Sequence, residues 1–423
     1  MNESTVQLKE AKTLPQGWRW VRLGEVCDGD SGIWGDIPDG SKECYPILRS
    51  NNIQGGTMGL SDVAIRKVIE PSIVEAKSLQ MGDILVTTSS GSKDLLGKSA
   101  LFFQPSDGQK YLFSNFTMRL RPRAQISEPF FLYFYLQSSE AKQVLRLLQD
   151  TTTGLRNLDR KEFLAQAVPL PPIPEQKRIA AKLQKLIAEV ERARTACEAQ
   201  LEAARALPQA YLRQVFESEE AKKWERRKLG EIIEDIQPGF ACGKRAGDDG
   251  VIQLRMNNIS TRGQIDLSSV LRVPATEEQV RQYCLLPGDI VFNNTNSVEL
   301  VGKTALFHEA KGVFVYSNHL TRLRTRAGVL DPVYLTFWLQ LQWYQRLFER
   351  ICNRWIGQAA VKREKLLALE MPLPALPEQK HIATELQGKI ADAEKLKLAI
   401  EKELETIKAL PQAILRKAFR GEL

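Results

Sequence analysis

The alternation of apolar and polar positions predicts three kinds of element in this chain, and predicts each of them twice. Short apolar runs at Asp83–Thr88 and Asp289–Phe292 follow a Gly-Asp pair and read as strands leaving a turn. Pro129–Leu148 and Pro332–Ile351 open with a proline in the first turn and read as helices. The third kind is a long helix. From Glu175 to Leu207 there is neither glycine nor proline, and apolar residues recur at Ile179, Leu183, Leu186, Val190, Ala193, Cys197, Leu201 and Ala204. The steps alternate between three and four, with one repeated step of four, which is the spacing of a coiled-coil seam. A second seam runs through Ile382, Leu386, Ile390, Ala393, Leu396, Ile400, Leu404 and Ile407. The other faces are charged, as at Lys182, Lys185, Glu189, Glu191 and Arg192. Ahead of the first seam, Pro169-Leu170-Pro171-Pro172-Ile173-Pro174 predicts a stiff extended spacer.

The doubling extends to the letters themselves. The segment opening at Trp18 returns at Trp224, Ile47–Ile53 returns at Gln253–Ile259, and Met81–Val86 returns at Pro287–Phe292, all with an offset of 206 residues. Leu96–Phe102 returns at Val301–Phe307 with an offset of 205. Ser114–Arg121, Val168–Ala180 and Ala206–Phe216 return at Ser317, Met371 and Ala409 with an offset of 203. So many blocks in one order mean two halves sharing one fold, with a few loop deletions between them. The predicted class is mixed α/β (α+β). Globular parts occupy 1–170 and 218–373, and proline segments with long helices occupy 171–217 and 374–423. Each lone helix would expose an apolar stripe, so the two seams are expected to pack on one another. Pairing with a second chain is the alternative, and tethering within one chain favours the internal pair.

Composition adds a partner class. The chain has 423 residues, 43% of them hydrophobic, and a net charge of +8; its isoelectric point is about 9.1. That balance suits a polyanionic partner. Met1–Pro15 is polar with both signs of charge, so no secretory leader is expected, and no apolar run reaches the ~18 residues of a membrane helix. Cys27, Cys44, Cys197, Cys242, Cys284 and Cys352 are scattered without a CxxC pair, and the three histidines are not clustered, so neither structural zinc nor a disulfide framework is expected. A cytoplasmic protein with reduced thiols follows.

Catalytic signatures fail on inspection. Gly91–Ser99 imitates a phosphate-binding loop but has five residues between Gly91 and Gly97 instead of four, and the second copy has Ser297 with no matching glycine. Pro287-Gly288-Asp289 reads as a turn. No dinucleotide fingerprint, Asn-Pro-Pro-Tyr-type methyltransferase motif or Ser-His-Asp arrangement is present. No catalytic residue, metal or cofactor is therefore expected. An enzyme with a hidden site, or a coiled-coil scaffold pairing two sensor domains without DNA, remains an alternative at this point.

The repeated polar residues are of the kind that contacts nucleic acid. Arg49, Asn51 and Asn52 recur as Arg255, Asn257 and Asn258, and arginine and asparagine suit guanine and adenine edges. Asn115, Arg119 and Arg121 recur as Asn318, Arg322 and Arg324, with the alternation of a strand that has one basic face. Lys98 and Lys303 suit phosphate. Shared residues also serve folding, and asparagine is a common turn residue. Base readers should differ between copies that read different sequences. The divergent polar loops are Ser89–Lys93 against Asn293–Ser297, with Ser90, Lys93, Asn294 and Asn296, and Thr151–Arg156 against Asn353–Gln358, with Arg156 and Gln358.

Taken together, the duplicated Leu-Gly-Glu opening, the duplicated Gly-Asp-Ile strand, the Pro-Leu-Pro…Pro-Glu-Gln segment before a long helix and the ending Ala418–Leu423 resemble the specificity subunit of Type I restriction–modification systems. The similarity covers nearly the whole chain. The resemblance implies a non-catalytic subunit whose two globular target recognition domains each read one half of a split site in double-stranded DNA. It implies two long helices packed as an antiparallel coiled coil. It further implies two methylation subunits carrying S-adenosylmethionine and adenine-N6 chemistry, and ATP-driven restriction subunits. A helix of ~31 residues spans ~46 Å at ~1.5 Å per residue, which matches ~14 base pairs at ~3.4 Å each. The helices are thus expected to set an unread spacer, and the unlike domains to read an asymmetric site.

Overall fold

The computed structural model describes residues 14–90, 95–151, 156–243, 245–247, 250–308 and 311–423, with the backbone alone at 149–151 and 156. They form two compact units, Met1–Glu198 with Lys402–Leu423, and Ala199–Glu401. The mixed class read from the repeat is what the structure has.

In the first unit, strands β1 (Cys27–Ser31), β2 (Ile84–Thr87), β4 (Ser99–Leu101) and β5 (Thr117–Pro122) make a four-stranded antiparallel sheet in the order β1-β5-β2-β4. Helix α1 (Pro129–Gln137) packs its Phe131, Leu132, Tyr135 and Leu136 into the core under that sheet. Glu128 caps it by accepting the Phe131 amide at 2.6 Å. A second sheet pairs Cys44–Leu48 with Ala64–Lys67 and Leu112–Phe113. A third joins β3 (Ser89–Ser90) to β7 (Arg156–Leu158) and β7 to β6 (Gln149–Thr151).

The first long helix, α2 (Ile173–Phe216), runs from the first unit into the second. The second unit then repeats the plan. Strands β8 (Ile233–Pro238), β9 (Ile290–Asn293), β11 (Thr304–Leu306) and β12 (Leu320–Thr325) form a sheet in the order β8-β12-β9-β11. Helix α3 (Pro332–Tyr344) covers it, capped by Asp331. The small sheet is β10 (Thr295–Asn296), β14 (Gln358–Ala360) and β13 (Asn353–Trp355), in the order β10-β14-β13. The second long helix is α4 (Leu376–Ala418). In each unit a short antiparallel pair, Arg19–Arg22 with Ala167–Leu170 or Arg226–Lys228 with Glu370–Pro372, ties the start of the globular part to its end.

The Pro-Glu-Gln segment explains how each long helix leaves its globular part. Gln176 is fully buried. Its Nε2 donates to Ile126 O at 2.9 Å and Pro171 O at 2.8 Å, and its Oε1 accepts the Glu128 amide at 2.9 Å. Gln379 repeats the three bonds with Val329 O, Pro374 O and the Asp331 amide at 3.0, 2.8 and 2.9 Å. The six-residue extended spacer expected from the prolines is divided instead. Pro169 and Leu170 end a strand, Pro171 and Pro172 break it, and Ile173-Pro174 already opens the helix. Proline lacks an N–H, which the first helical turn does not use.

Within the first unit, Ile179 and Leu183 share a core with Leu415, Ala418 and Phe419. Burial, with Glu403 and Glu198 nearby, pushes the Cys197 thiol pKa up. Numbers rise along one helix as they fall along the other, so the segments are antiparallel. The second unit shows the same direction. Leu212 and Phe216 share a core with Ile382 and Leu386, the Lys389 ammonium sits 5.8 Å from the Tyr211 ring centre, and Arg205 lies 3.4 Å from Glu401. Phe419 packs edge-on to Phe131 and Tyr135, and Phe216 packs against Tyr334.

The seam residues Ile179, Leu183, Val190, Leu201, Ile382, Leu386, Ile400 and Leu404 are buried, and Leu186 and Ile390 half-buried. Leu396 corrects the expectation: it is 48% exposed. The next residue, Lys397, takes its place in the seam, 5% exposed, with its ammonium bonded to Glu394. The first helix makes the same departure, with Ala193 exposed and Arg194 turned partly inward. Arg194 is held by Glu191 at 2.7 Å and Glu198 at 3.0 Å. Four residues, not three, then separate Val190 from the next inward side chain, which suits the 3.6-residue turn.

Candidate nucleic-acid interface

Three loop segments meet at one end of the four-stranded sheet in each unit. Leu48 O accepts the Ser114 amide at 2.9 Å, so the Arg49–Asn52 turn begins beside the Ser114–Thr117 turn. Phe116 O accepts the Thr88 amide at 2.9 Å, which sets the second turn against the start of β3. Ser89 Oγ then bonds Asn157 Oδ1 across β3 and β7 at 2.7 Å. The second unit repeats this: Leu254 O accepts Ser317 N at 2.9 Å, and His319 O accepts Asn294 N at 3.1 Å. The close approach requires glycine. A Cβ on Gly32 would lie 2.2 Å from Phe113 O, and one on Gly239 2.2 Å from Tyr316 O. The described residues of the two divergent loops singled out in each half are therefore neighbours on one small sheet, although about 60 residues separate them in the chain.

The repeated residues divide into a framework and a surface. Asn52 and Asn258 belong to the framework and correct the expectation of base contact. Asn52 Oδ1 accepts the Arg49 amide, and its Nδ2 donates to Gly59 O and Asp62 O, all at 2.9 Å. Asn258 makes the matching bonds to Arg255 N, Asp266 O and Ser269 O. Both are buried with their amide groups fully engaged.

Arg119 and Arg322 are corrected likewise. Arg119 donates to Ala76 O at 2.9 Å and Ser78 O at 3.1 Å, and lies 3.5 Å from Asp30. Arg322 bonds Asp235 and Gln237 at 2.7 Å each. Arg121 and Arg324 are clamped by Asp83 and Asp289. The predicted basic strand face is thus neutralised from within, by Asp30 and Asp83 in the first unit and by Asp235 and Asp289 in the second. Lys303 also turns inward, donating to Met256 O at 3.2 Å and to Ile259 O, and burial lowers its pKa. Its copy Lys98 stays exposed.

On the surface are Asn51, Lys98, Asn115, Arg255, Asn257, Asn318 and Gln358, all exposed, and Arg49, Ser90, Asn294 and Asn296, half-buried. Asn294 Nδ2 donates to Thr321 Oγ1 at 3.0 Å, and Asn296 Oδ1 accepts the Ser297 amide at 2.8 Å. Lys93 and the Arg156 side chain lie outside the described residues. The surface also holds aromatic residues that no periodicity marks. Trp34 stands 48% exposed, 5.8 Å from Phe116 in an edge-to-face arrangement, with the Arg66 guanidinium 5.2 Å from its ring centre. In the second unit Trp355 and Ile356 project from the β13–β14 turn. For Trp34 an isolated tryptophan in a loop was the sole signal available, whereas Trp355 and Ile356 fall within the divergent Asn353–Gln358 segment. Among the described residues no group of three or more His, Cys, Asp or Glu is placed to hold a metal ion, none of the six cysteines is in a disulfide, and no helix is long and apolar enough to cross a membrane.

Two copies of one α/β domain, each joined to antiparallel helical segments and each presenting a variable loop cluster, define a duplicated recognition protein. The chain belongs to the family described as Type I restriction modification DNA specificity domain, whose model matches residues 15–202 and again 221–406. It is 26% identical over 429 residues to the Type I restriction enzyme EcoKI specificity subunit of Escherichia coli K12, covering 98% of this chain and 90% of that protein. The StySPI specificity subunit of Salmonella potsdam is also 26% identical, with coverages of 97% and 90%. The crystal structure of the HsdS subunit from Thermoanaerobacter tengcongensis shares the fold, with a TM-score of 0.66 at 24% identity over 98% of this chain and 99% of that one.

Proposed function

We propose that this chain is the DNA-reading subunit of a Type I restriction–modification complex and holds no active site. Each globular part, 1–170 and 218–373, reads one half of an asymmetric two-part site in double-stranded DNA. The helical segments 171–217 and 374–423 set the unread spacer and dock two methylation subunits, which supply S-adenosylmethionine and the methyl transfer; ATP-driven restriction subunits join the same complex in the cytoplasm.

One observation carries this reading. Each unit holds the same buried Asn, Arg–Asp and Gln framework under a loop cluster whose exposed and half-buried side chains differ, as at Ser90 against Asn296 and Phe116 against His319. A constant frame with variable tips suits two readers of unlike sequences. The net charge of +8 suits a phosphate backbone.

The test is methylation in a host carrying this chain and its methylation partner, with adenine methylation mapped over the genome. A split, asymmetric motif is expected. Replacing 17–168 by the equivalent segment of a relative should change one half of that motif alone. Methyl transfer or cleavage by the purified single chain, or a change in both halves, contradicts the proposal. Binding of the chain to duplex DNA should also weaken steeply and linearly in log–log form as salt rises.

A further inference from the structure

The β13–β14 hairpin of the second unit ends in an unusual tip. Its strands pair Asn353 with Ala360, Arg354 with Ala359 and Trp355 with Gln358, which leaves Ile356 and Gly357 as the turn. Gly357 has φ +76°, a left-handed value that a two-residue turn with φ positive at its second position requires. Trp355 is 59% exposed and Ile356 wholly exposed. The stem beneath is firmly held. β14 pairs with β10, Val361 N donates to Asn294 O at 2.9 Å, and Lys365 Nζ donates to Ile351 O at 2.6 Å and Asn353 Oδ1 at 3.3 Å. Two large apolar side chains thus stand free on a fixed stalk.

The surroundings are cationic. Arg346, Arg350, Arg354, Lys362, Arg363 and Lys365 are all exposed. Glu349 lies 3.4 Å from Arg346 and 4.0 Å from Arg354, Glu299 is within electrostatic reach of the same two arginines, and with Glu364 these carboxylates leave the positive charge in excess. Exposed apolar groups of this size mark a contact surface, and the excess of cations along the same segment commits that contact to a polyanion. The tip is convex, so it offers no groove to hold a single strand. A convex apolar tip flanked by cations matches one recognised way of engaging a duplex. The cations neutralise phosphates beside a groove while the apolar side chains enter between base pairs.

We propose that Trp355 and Ile356 form a wedge that enters the half-site read by the second globular part and unstacks one base step. This rests on the reading of the chain as a DNA-binding subunit and adds a contribution to specificity that carries no hydrogen bonds. The wedge favours a step that opens easily, such as a pyrimidine–purine step.

The experiment uses the full-length chain with its methylation partner and duplexes carrying the mapped site, with 2-aminopurine placed at successive positions. Wild type should raise the fluorescence at one step of the second half-site. The double variant Trp355→Ala, Ile356→Ala should lose that rise and bind about tenfold or more weakly, with an unchanged salt slope because no phosphate contact is removed. Trp355→Phe, which keeps a ring, should retain the rise. Should the double variant melt early, Ile356→Ser should show a partial loss in the same direction. Wild type bound to the duplex without enhanced fluorescence at any step overturns the wedge alone, as does an undiminished rise in the double variant. No duplex binding by wild type overturns the DNA reading and the wedge with it. If the variants lose the methylation partner while keeping DNA affinity and fluorescence, the tip is a protein contact and the wedge is overturned.

Discussion

Arg121 grips Asp83 through two parallel hydrogen bonds, from Nε to Oδ1 at 2.8 Å and from Nη2 to Oδ2 at 2.7 Å. Asp83 also accepts the Gln80 amide at 2.8 Å. Its carboxylate is buried, so removing the arginine strands a charge in a low-dielectric interior. Arg121→Ala should destabilise the first unit by about 3–5 kcal/mol, read as a lower urea midpoint. The affinity for DNA per folded molecule should stay unchanged. A surface phosphate contact would give the reverse: unaltered stability and a shallower salt slope.

Asn51 and Asn52 are adjacent and should behave oppositely. Asn52→Ala leaves the Arg49 amide and the carbonyls of Gly59 and Asp62 without their partner, a loss of roughly 3 kcal/mol at about 1 kcal/mol or more for each unmade bond. Asn51→Ala, at an exposed position, should cost less than about 0.5 kcal/mol. Thermal melts of the two variants check the contrast; equal shifts would overturn the division into framework and surface.

Gln176 joins the end of the globular part to the start of the long helix. Gln176→Leu keeps the volume and removes three bonds to Ile126 O, Pro171 O and Glu128 N. The expected loss is about 2–4 kcal/mol, from backbone groups left unpaired in the interior. Gln379→Leu should cost a similar amount, because its three partners correspond. Urea titration of each variant reads the effect.

If the helices set the DNA spacer, their length should appear in the methylated motif. Four residues inserted after Glu191 lengthen the helix by ~6 Å at ~1.5 Å per residue. The mapped spacer should grow by one or two base pairs with both half-sites kept. An unchanged spacer in a stable, active variant would remove the helices from that role.

Much of the fold was legible because the repeat displays it twice. Two copies of Gly-Asp-Ile, of Ser-Asn and of Pro-Glu-Gln at steady offsets mark equivalent positions without any knowledge of their contacts. What a residue type in a repeat does not reveal is the direction of its side chain. Arg119 and Asn52 have the chemistry of a base reader and the surroundings of a core residue.

The sequence by itself determined the duplication, the mixed class, the two long helices and the two pairs of divergent loops, because these depend on periodicity and repetition along one chain. Tertiary structure alone decided which polar groups are spent internally. Asp83, Asp235 and Asp289 come from strands or turns distant from the arginines they neutralise. It also decided the path of the seam. Steps of three and four are equally allowed along a 3.6-residue helix, so Ala393 leads as easily to Leu396 as to Lys397, and only packing against the antiparallel segment turns Lys397 inward and Leu396 out. Trp355 and Ile356 were undecided for the same reason: an apolar residue in a loop is core or contact according to what the rest of the chain brings to it, and here the chain brings no apolar cover and more cations than carboxylates.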